Sequence, residues 1–362
     1  MKNFVNKRAA SLQPSGIRKF FDIVQKMEGA VSLGVGEPDF VTPWDVRDAA
    51  IRSLQRGYTQ YTGNRGLPEL RSLISRYLAE RFSVNYPPER TIVTVGASEA
   101  IDLALRAVCD DGDEILIPEP SYVSYAPAVT LAGGTPVAVK CVAGNDFILT
   151  PDLLEKAITS KTKAVIIAYP NNPTGAVMTK EQLEALVPVI EKHDLLVISD
   201  EIYAELTYIG RHVSIASLGN MAERTVLING FSKAFAMTGW RVGFVCAPAE
   251  IDAAMLKIHQ YTILCAPQMS QRAAVAALKN GFDDGFATVE EMREEYGRRG
   301  RFLVNAFNSL GLKCFRPKGA FYVFPSVEST GLDGESFANG LLEKYKVAVV
   351  PGSAFGSAGK NF

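Results

Sequence analysis

The chain has 362 residues, of which 47% are hydrophobic and 21% are charged, and its formal net charge at pH 7 is −1. This length favours two domains, and the composition is that of an ordinary globular protein. The near-zero charge argues against nucleic acid or an anionic membrane as the main partner, and no apolar stretch is long enough to span a bilayer.

Strand-like and helix-like segments alternate from about residue 44 to residue 247. The predicted strands are short apolar runs: 91–95, 114–117, 136–139, 163–168, 195–199 and 225–228. An amphipathic helix is predicted over 180–192, between two of these strands. Unbroken apolar strands separated by helices predict an α/β fold, with a mostly parallel sheet in a three-layer α/β/α large domain.

A different pattern begins after residue 247. Helical periodicity runs from about 249 to 278 and from about 283 to 310. A β-like apolar run follows over 320–324, then a helix near 336–344 and a last apolar run over 347–350. This order of elements predicts a smaller α+β domain.

Both ends of the chain are expected to form this smaller domain. The segment before Trp44 has Ser15 as a helix cap and apolar side chains at helical spacing, so we expect it to pack with the C-terminal part. We therefore predict a large domain over 44–265 and a small domain formed by 1–43 together with 266–362.

The cysteines and histidines indicate neither disulfides nor a metal site. Five cysteines are scattered without a Cys-x-x-Cys pair, which is typical of reduced thiols in the cytosol. The N-terminus lacks the apolar core of a signal peptide, so we expect a cytoplasmic protein. The three histidines show no metal-ligand spacing, and we expect no bound metal.

Polar and aromatic side chains follow five predicted strands, at the sheet edge where open α/β folds bind ligands. Gly96, Ala97 and Ser98 form a turn of small residues that opens a helix, and such a turn can bind phosphate through its N–H groups. The other strand ends supply further candidates: Ser121, Tyr122, Asn171, Asn172, Asp200, Tyr203, Ser232 and Lys233. These groups are expected to meet at one ligand.

Lys233 follows the buried run 225–228, and Arg241 comes eight residues later. A partly desolvated amine near other cations has a lowered pKa and can attack an aldehyde, so Lys233 is the candidate for a Schiff base. For any lysine taken alone, a side chain that merely extends from a strand end to water is the ordinary alternative.

Together the candidates would hold a phosphate, a planar aromatic ring and an aldehyde. Asp200 would keep a ring nitrogen protonated, so that the ring acts as an electron sink. Asn172 and Tyr203 would hydrogen-bond a ring oxygen, and Tyr122 would stack on the ring face. The phosphate would be bound by Ala97, Ser98, Ser232 and Arg241.

Four motifs occur in a fixed order: NNPTG at 171–175, SDEIY at 199–203, FSKAF at 231–235 and GWRVG at 239–243. Each alone has an ordinary explanation as a turn, a helix cap or packing. Together with GVGEPDF at 34–40 and PKGAFY at 317–322, they resemble the class I and II pyridoxal-phosphate-dependent aminotransferases of fold type I. The resemblance covers essentially the whole chain and is closest to a bacterial branch of aromatic, aspartate and N-acetyl-diaminopimelate aminotransferases.

The resemblance implies pyridoxal 5′-phosphate as cofactor. Lys233 would be its Schiff-base and proton-transferring lysine, with Asp200 on the pyridine nitrogen and Asn172 and Tyr203 on the ring oxygen. Tyr122 would lie over the ring. The implied phosphate ligands are Ala97, Ser98, Ser232 and Arg241.

The resemblance also implies the substrates and a partner subunit. An L-amino acid and a 2-oxo acid would react in turn by a ping-pong mechanism, close to Gly36, Asn172 and Ile17. Tyr61 matches the tyrosine that the family lends to the neighbouring subunit's phosphate, so a homodimer with shared active sites is implied.

Two other functions use the same cofactor contacts. A carbon–sulfur β-lyase on the same fold differs only in its products with cysteine-type substrates. A regulatory module that binds the cofactor without catalysis would carry a DNA-binding domain, yet only about forty residues precede the α/β pattern and they lack a basic cluster. A nicotinamide dehydrogenase is disfavoured because no Gly-x-Gly-x-x-Gly follows a strand.

The C-terminal residues depart from the family pattern. The family continues past the Pro-Gly-Ser segment at 351–353 into Gly-x-Gly-Tyr-x-Arg, whose arginine binds the substrate carboxylate. Residues 359–362 align with the first four positions. We therefore expect the natural polypeptide to continue beyond Phe362, with this arginine two residues later.

Overall fold

The computed structural model describes residues 4–14, 27, 29–34 and 36–362. Within these residues the helices are α1 (Lys7–Ser11), α2 (Trp44–Gln55), α3 (Pro68–Phe82), α4 (Gly96–Val108), α5 (Tyr125–Ala132), α6 (Pro151–Ala157), α7 (Lys180–Lys192), α8 (Ala249–Thr262), α9 (Gln268–Asp284), α10 (Ala287–Ser309) and α11 (Gly334–Tyr345). The strands are β1 (Val31–Ser32), β2 (Thr91–Thr94), β3 (Glu114–Glu119), β4 (Thr135–Lys140), β5 (Thr162–Ile167), β6 (Leu196–Asp200), β7 (Thr225–Gly230), β8 (Gly243–Cys246) and β9 (Val347–Ala348).

A seven-stranded sheet forms the centre of the molecule, in the order β2-β8-β7-β6-β5-β3-β4. β8 runs antiparallel to both of its neighbours, and the other pairs are parallel. The prediction of a mostly parallel sheet is confirmed. β8 was not predicted, because its four residues follow the Arg241 loop directly and carry no turn signal that separates them from it.

Alternate residues of each strand pack on opposite faces of the sheet. In β7, Val226 and Ile228 face a core formed with α4, α5 and α8, whereas Leu227 faces α2, α3 and α9. Val165 of β5 packs on the second face with α6 and α7. Because both faces are covered, the strands are apolar throughout, and the three-layer arrangement is confirmed.

The local sequence explains where α7 begins and which side it buries. Thr179 accepts a hydrogen bond from the N–H of Gln182, whose side chain accepts one from the N–H of Thr179, so a capping box starts the helix. Leu183, Leu186 and Ile190 form its buried stripe. The bounds of α7 match the prediction over 180–192.

Three predicted elements of the C-terminal part differ in the structure. The helical pattern over 249–278 is two helices, because Pro267 begins a new one at α9. The second long helix runs from Ala287 rather than from about 283. The run 320–324 is not a strand: Ala320 has a φ of +55°, which breaks the extended backbone, and only the bridges at Gly319 and Pro325 remain.

The N-terminal and C-terminal parts meet in a small parallel sheet of β1 and β9, where Val31 pairs with Val347. Ser15 and Ile17 lie outside the described residues. Helix α9, beyond the predicted boundary at residue 265, packs against α2 and α3. The division into two domains stays a prediction.

Among the described residues, the helices are all too short or too polar to cross a lipid bilayer.

Candidate active site

A cavity of about 530 Å³ opens at the carboxyl ends of the parallel strands. Strands β2, β5, β6 and β7 each end at its wall, where a turn follows. It is lined by these predicted site residues: Gly36, Ala97, Ser98, Tyr122, Asn172, Asp200, Tyr203, Ser232, Lys233 and Arg241. The expectation that groups from separate strand ends meet at one ligand site therefore agrees with the geometry.

Lys233 lies just beyond the fully buried strand β7. Its Nζ donates a hydrogen bond of 2.7 Å to the carbonyl oxygen of Gly36. Burial lowers the pKa of Lys233 to about 8, with Arg241 acting in the same direction and Glu37 opposing it. An amine with this pKa is partly neutral near physiological pH and is therefore a competent nucleophile.

Asp200 ends strand β6 as a buried carboxylate. Its Oδ2 accepts a hydrogen bond of 2.7 Å from the Tyr125 hydroxyl, and its Oδ1 accepts one of 3.2 Å from the N–H of Ile202. Burial raises the pKa of Asp200 to about 6, although both hydrogen bonds act in the other direction. The carboxylate thus faces the cavity, and a cationic partner there would stabilise its ionised form.

Asn172, Tyr203 and Tyr322 form a hydrogen-bonded group on the cavity wall. The hydroxyls of Tyr203 and Tyr322 lie 2.6 Å apart, and Asn172 Nδ2 donates to the Tyr322 hydroxyl at 3.4 Å. Burial and the neighbouring Tyr322 raise the pKa of Tyr203 well above its usual value, so its phenol is protonated and can donate. Asn172 Oδ1 is buried without a partner among the described residues.

A candidate anion site lies where α4 begins. Gly96, Ala97 and Ser98 occupy its first turn, whose N–H groups have no acceptor within the helix. The Arg241 guanidinium packs against Gly96 so closely that a Cβ on Gly96 would lie 2.6 Å from its nearest nitrogen. Arg241 itself has a φ of +50°, a conformation that is uncommon outside glycine. The partial positive charge of the α4 N-terminus and the full charge of the Arg241 guanidinium therefore lie side by side.

One predicted site residue among those that the structure describes does not line the cavity. Tyr61 is 81% exposed and does not line it, which is the position expected of a side chain that serves another subunit. Ile17 lies outside the described residues. Tyr122 lines the cavity, and its ring is perpendicular to that of Tyr125 at 5.6 Å.

Sequence reasoning missed several lining residues, notably Tyr125, Tyr322, Thr238, Val123 and Phe355. Tyr125 is the first residue of α5 and lies three positions after Tyr122, which precedes the helix, so no helical pattern pointed to it. Tyr322 belongs to a motif that was quoted for the resemblance, but its run was interpreted as a strand.

The comparisons with known proteins agree with this geometry. The family model for aminotransferase class I and II matches residues 28–362. The chain belongs to the class I and II aminotransferases. Fold type I and transaminase activity, both expected from the motifs, are thereby confirmed.

Individual relatives of this aminotransferase are similar over nearly their whole length. The aspartate aminotransferase of Pyrococcus abyssi is 48% identical over 99% of this chain and 92% of its own. The aromatic-amino-acid aminotransferase 2 of Thermococcus litoralis is 45% identical over the same shares. Among solved structures, the Thermus thermophilus aspartate aminotransferase with maleate superposes with a TM-score of 0.94, at 39% identity over 98% of this chain and 93% of that one.

Proposed function

We propose that this aminotransferase uses pyridoxal 5′-phosphate to move an amino group between an L-amino acid and a 2-oxo acid, in two half-reactions. The observation that carries the proposal is the meeting of Lys233, Asp200, Asn172 and Tyr203 with the anion site at one cavity. When bound, the cofactor supplies an aldehyde and a ring that accepts electrons from the reacting Cα.

The residues present fit each part of this cofactor. The first turn of α4 and Arg241, with Ser98 and Ser232 beside them, would bind the phosphate. Asp200 would pair with the protonated ring nitrogen, which removes the cost of its own burial. Tyr203 would donate to the ring oxygen, and so would Asn172 through the Nδ2 hydrogen that its hydrogen bond to Tyr322 does not use.

Lys233 has two tasks in this proposal. Its amine would hold the cofactor through the aldehyde carbon until substrate binds. Once a substrate amine has replaced it, Lys233 would be the base that takes a proton from Cα and returns it, and its pKa of about 8 in the ligand-free protein suits this transfer. In the ligand-free protein the amine is hydrogen-bonded to the carbonyl oxygen of Gly36, which also lines the cavity.

The amino donor and the assembly follow from the relatives and from Tyr61. The curated relatives include aspartate and aromatic-amino-acid aminotransferases, so we propose an aromatic amino acid, aspartate or a related compound as donor. The exposed Tyr61 supports a homodimer in which each subunit completes the phosphate site of the other. The described cysteines are all free thiols, which supports a cytoplasmic location.

Lys233→Ala tests the assignment of the cofactor. The variant should lack the visible absorbance of lysine-bound pyridoxal phosphate and nearly all turnover, because no other amine takes this position. The exposed Lys257 provides a control, since Lys257→Ala should keep both. A borohydride-reducible pyridoxal adduct that persists in Lys233→Ala would contradict the assignment.

A screen with individual amino acids separates transamination from the related reactions. An aminotransferase should convert a donor to its 2-oxo acid and shift the absorbance of the bound cofactor to that of its amine form. Pyruvate, ammonia and a thiol released from cysteine-type substrates would instead indicate a carbon–sulfur β-lyase.

A further inference from the structure

Tyr322 has no role in the proposed function so far. Its side chain contacts three parts of the candidate active site. Its hydroxyl contacts Tyr203 at 2.6 Å and Asn172 at 3.4 Å, the two residues proposed to bind the ring oxygen. It also lies against Gly36, where a Cβ would be only 2.5 Å from the hydroxyl oxygen. Gly36 is in turn the acceptor for Lys233.

The backbone that precedes Tyr322 is hydrogen-bonded to the segments that follow β5 and β6. The N–H groups of Lys318 and Gly319 donate to the carbonyl of Gly175 at 2.8 and 3.0 Å, and the N–H of Ala320 donates to Leu206 at 2.9 Å. The positive φ of Ala320 then turns the chain. The Tyr322 ring therefore lies in the cavity at the end of a hydrogen-bonded turn.

The hydrogen-bond capacities of these groups indicate which hydroxyl donates. A tyrosine has one proton to give, and in the proposed function Tyr203 gives its proton to the ring oxygen. The proton between the two tyrosines must then come from Tyr322, which also accepts from Asn172 Nδ2. The order of donation is Asn172 to Tyr322, Tyr322 to Tyr203, and Tyr203 to the ring oxygen.

We propose that Tyr322 is a positioning residue that strengthens the hydrogen bond of Tyr203 to the ring oxygen and so lowers the pH at which the Lys233 nitrogen of the loaded enzyme releases its proton. This inference rests on the proposed function. Donation to the oxygen of a hydroxyl makes that hydroxyl a better donor, because the bonds of a chain polarise one another. A ring oxygen that carries less negative charge holds a proton on the nearby Lys233 nitrogen less firmly.

Tyr322→Phe tests the proposal, because it removes the hydroxyl and keeps the ring that packs against Tyr203 and Phe321. The readout is the midpoint of the pH titration of the visible absorbance of the bound cofactor. We expect the midpoint to rise by about 0.5 to 1 pH unit, the size of one weakened hydrogen bond. The dissociation constant for pyridoxal phosphate should rise severalfold in the same variant.

Tyr296→Phe is the matched control. Tyr296 belongs to the same aromatic cluster, its ring lies 5.2 Å from that of Phe321, and its hydroxyl donates to Asp39 rather than to Tyr203. This variant should titrate like the wild type, and the thermal unfolding of both variants shows whether packing has changed.

The outcomes separate this inference from the proposed function. A wild-type protein that acquires no visible absorbance with pyridoxal phosphate would overturn both. A wild type that binds it normally, with a Tyr322→Phe midpoint that is unchanged or lowered, or raised no more than that of Tyr296→Phe, would overturn the role of Tyr322 alone.

Discussion

Lys233 has an amine that is already partly neutral before any ligand arrives. Its pKa of about 8 results mainly from burial beyond β7, whereas an ordinary lysine has a pKa of 10.5. Only the neutral amine attacks an aldehyde. In the proposed function, the proton on Lys233 would therefore limit how quickly the cofactor-free protein takes up pyridoxal phosphate.

This limit predicts the pH dependence of uptake. The second-order rate constant should rise with pH and level off with a midpoint near 8, measured by stopped-flow absorbance on cofactor-free protein. Lys257→Ala, at an exposed position, should leave the midpoint unchanged. A rate that keeps rising towards pH 10 would mean that Lys233 is not desolvated.

Burial of the Asp200 carboxylate reduces the stability of the folded protein, and the same burial places this carboxylate in the cavity where a cation could pair with it. Its pKa is about 6 in the folded protein and 3.8 as a free side chain, so the folded state holds this proton more tightly than the unfolded state. The contribution of Asp200 to stability is therefore fully present below about pH 3.8 and is lost as the pH rises through about 6.

Asp200→Asn should remove this penalty in cofactor-free protein. We expect a higher thermal unfolding midpoint than wild type at pH 7.5, from about 1–3 kcal/mol, and a smaller difference at pH 5. The asparagine carbonyl can still accept from Tyr125, which limits new losses. Turnover should fall about 100-fold or more, because the substitution removes the negative charge that is proposed to keep the ring nitrogen protonated. Equal stability at both pH values, or unchanged single-turnover rates, would contradict this account.

At the scale of elements, the start of α4 and the Arg241 loop form one anion site from two distant segments. Gly96 has a φ of +76° and lets the Arg241 guanidinium approach the helix N-terminus. A methyl group at this position would displace the guanidinium from the point where the N–H groups converge.

Gly96→Ala should therefore weaken pyridoxal phosphate binding at least tenfold, measured by equilibrium titration of cofactor-free protein. Gly112→Ala is the control for backbone strain: Gly112 has a φ of +99°, and a Cβ there would meet nothing within 4 Å. Both variants lose stability from the positive φ, but only Gly96→Ala should lose affinity. Equal affinities in the two variants would show that Arg241 does not act at this site.

The elements also show where local sequence patterns succeed and where they fail. Helix α7 was predicted over about 180–192 and runs from Lys180 to Lys192, because its capping box and apolar stripe are both local. The run 320–324 has strand-like composition, yet Ala320 adopts a positive φ and the chain turns towards the cavity. This turn is stabilised by hydrogen bonds from the segment to the carbonyl groups of Gly175 and Leu206, which are distant in the sequence.

At the scale of the whole molecule, large apolar side chains remain exposed on this single chain. Trp44 is 60% exposed, Tyr61 81% and Tyr261 87%. The segment that carries Tyr61 is held against α9, since buried Gln271 donates to Thr62 and accepts from the N–H of Leu67. A firmly held loop with an exposed tyrosine suits a residue that acts in a neighbouring subunit.

Mixing two inactive variants tests the shared site. Lys233→Ala should be inactive in its own site but lend an intact Tyr61, and Tyr61→Ala should keep Lys233 but lend a defective residue. A mixed dimer then contains one complete site, so refolding the two together should restore up to about a quarter of wild-type activity, as expected for random pairing with one good site in half of the dimers. Recovery no greater than the sum of the separate variants would contradict a shared phosphate site.

The amino-acid sequence by itself determined the class of sheet, most of its strands and the residues that end them. These features are local: buried strands are continuously apolar, helices repeat every 3.6 residues, and ligand-binding side chains follow directly after strands. Lys233, Asp200 and Asn172 were found in this way, as was the turn at Ala97 and Ser98 that is proposed to bind phosphate.

Only the tertiary structure decided which side chains control these residues. Tyr125 and Asp200 are 75 positions apart, and Tyr203 and Tyr322 are 119 apart, so no local pattern connects them. The antiparallel β8 is likewise chosen by the neighbours it fits between, β2 and β7. Hydrogen-bond partners across a core depend on how separate segments pack, and that information is spread over the whole chain.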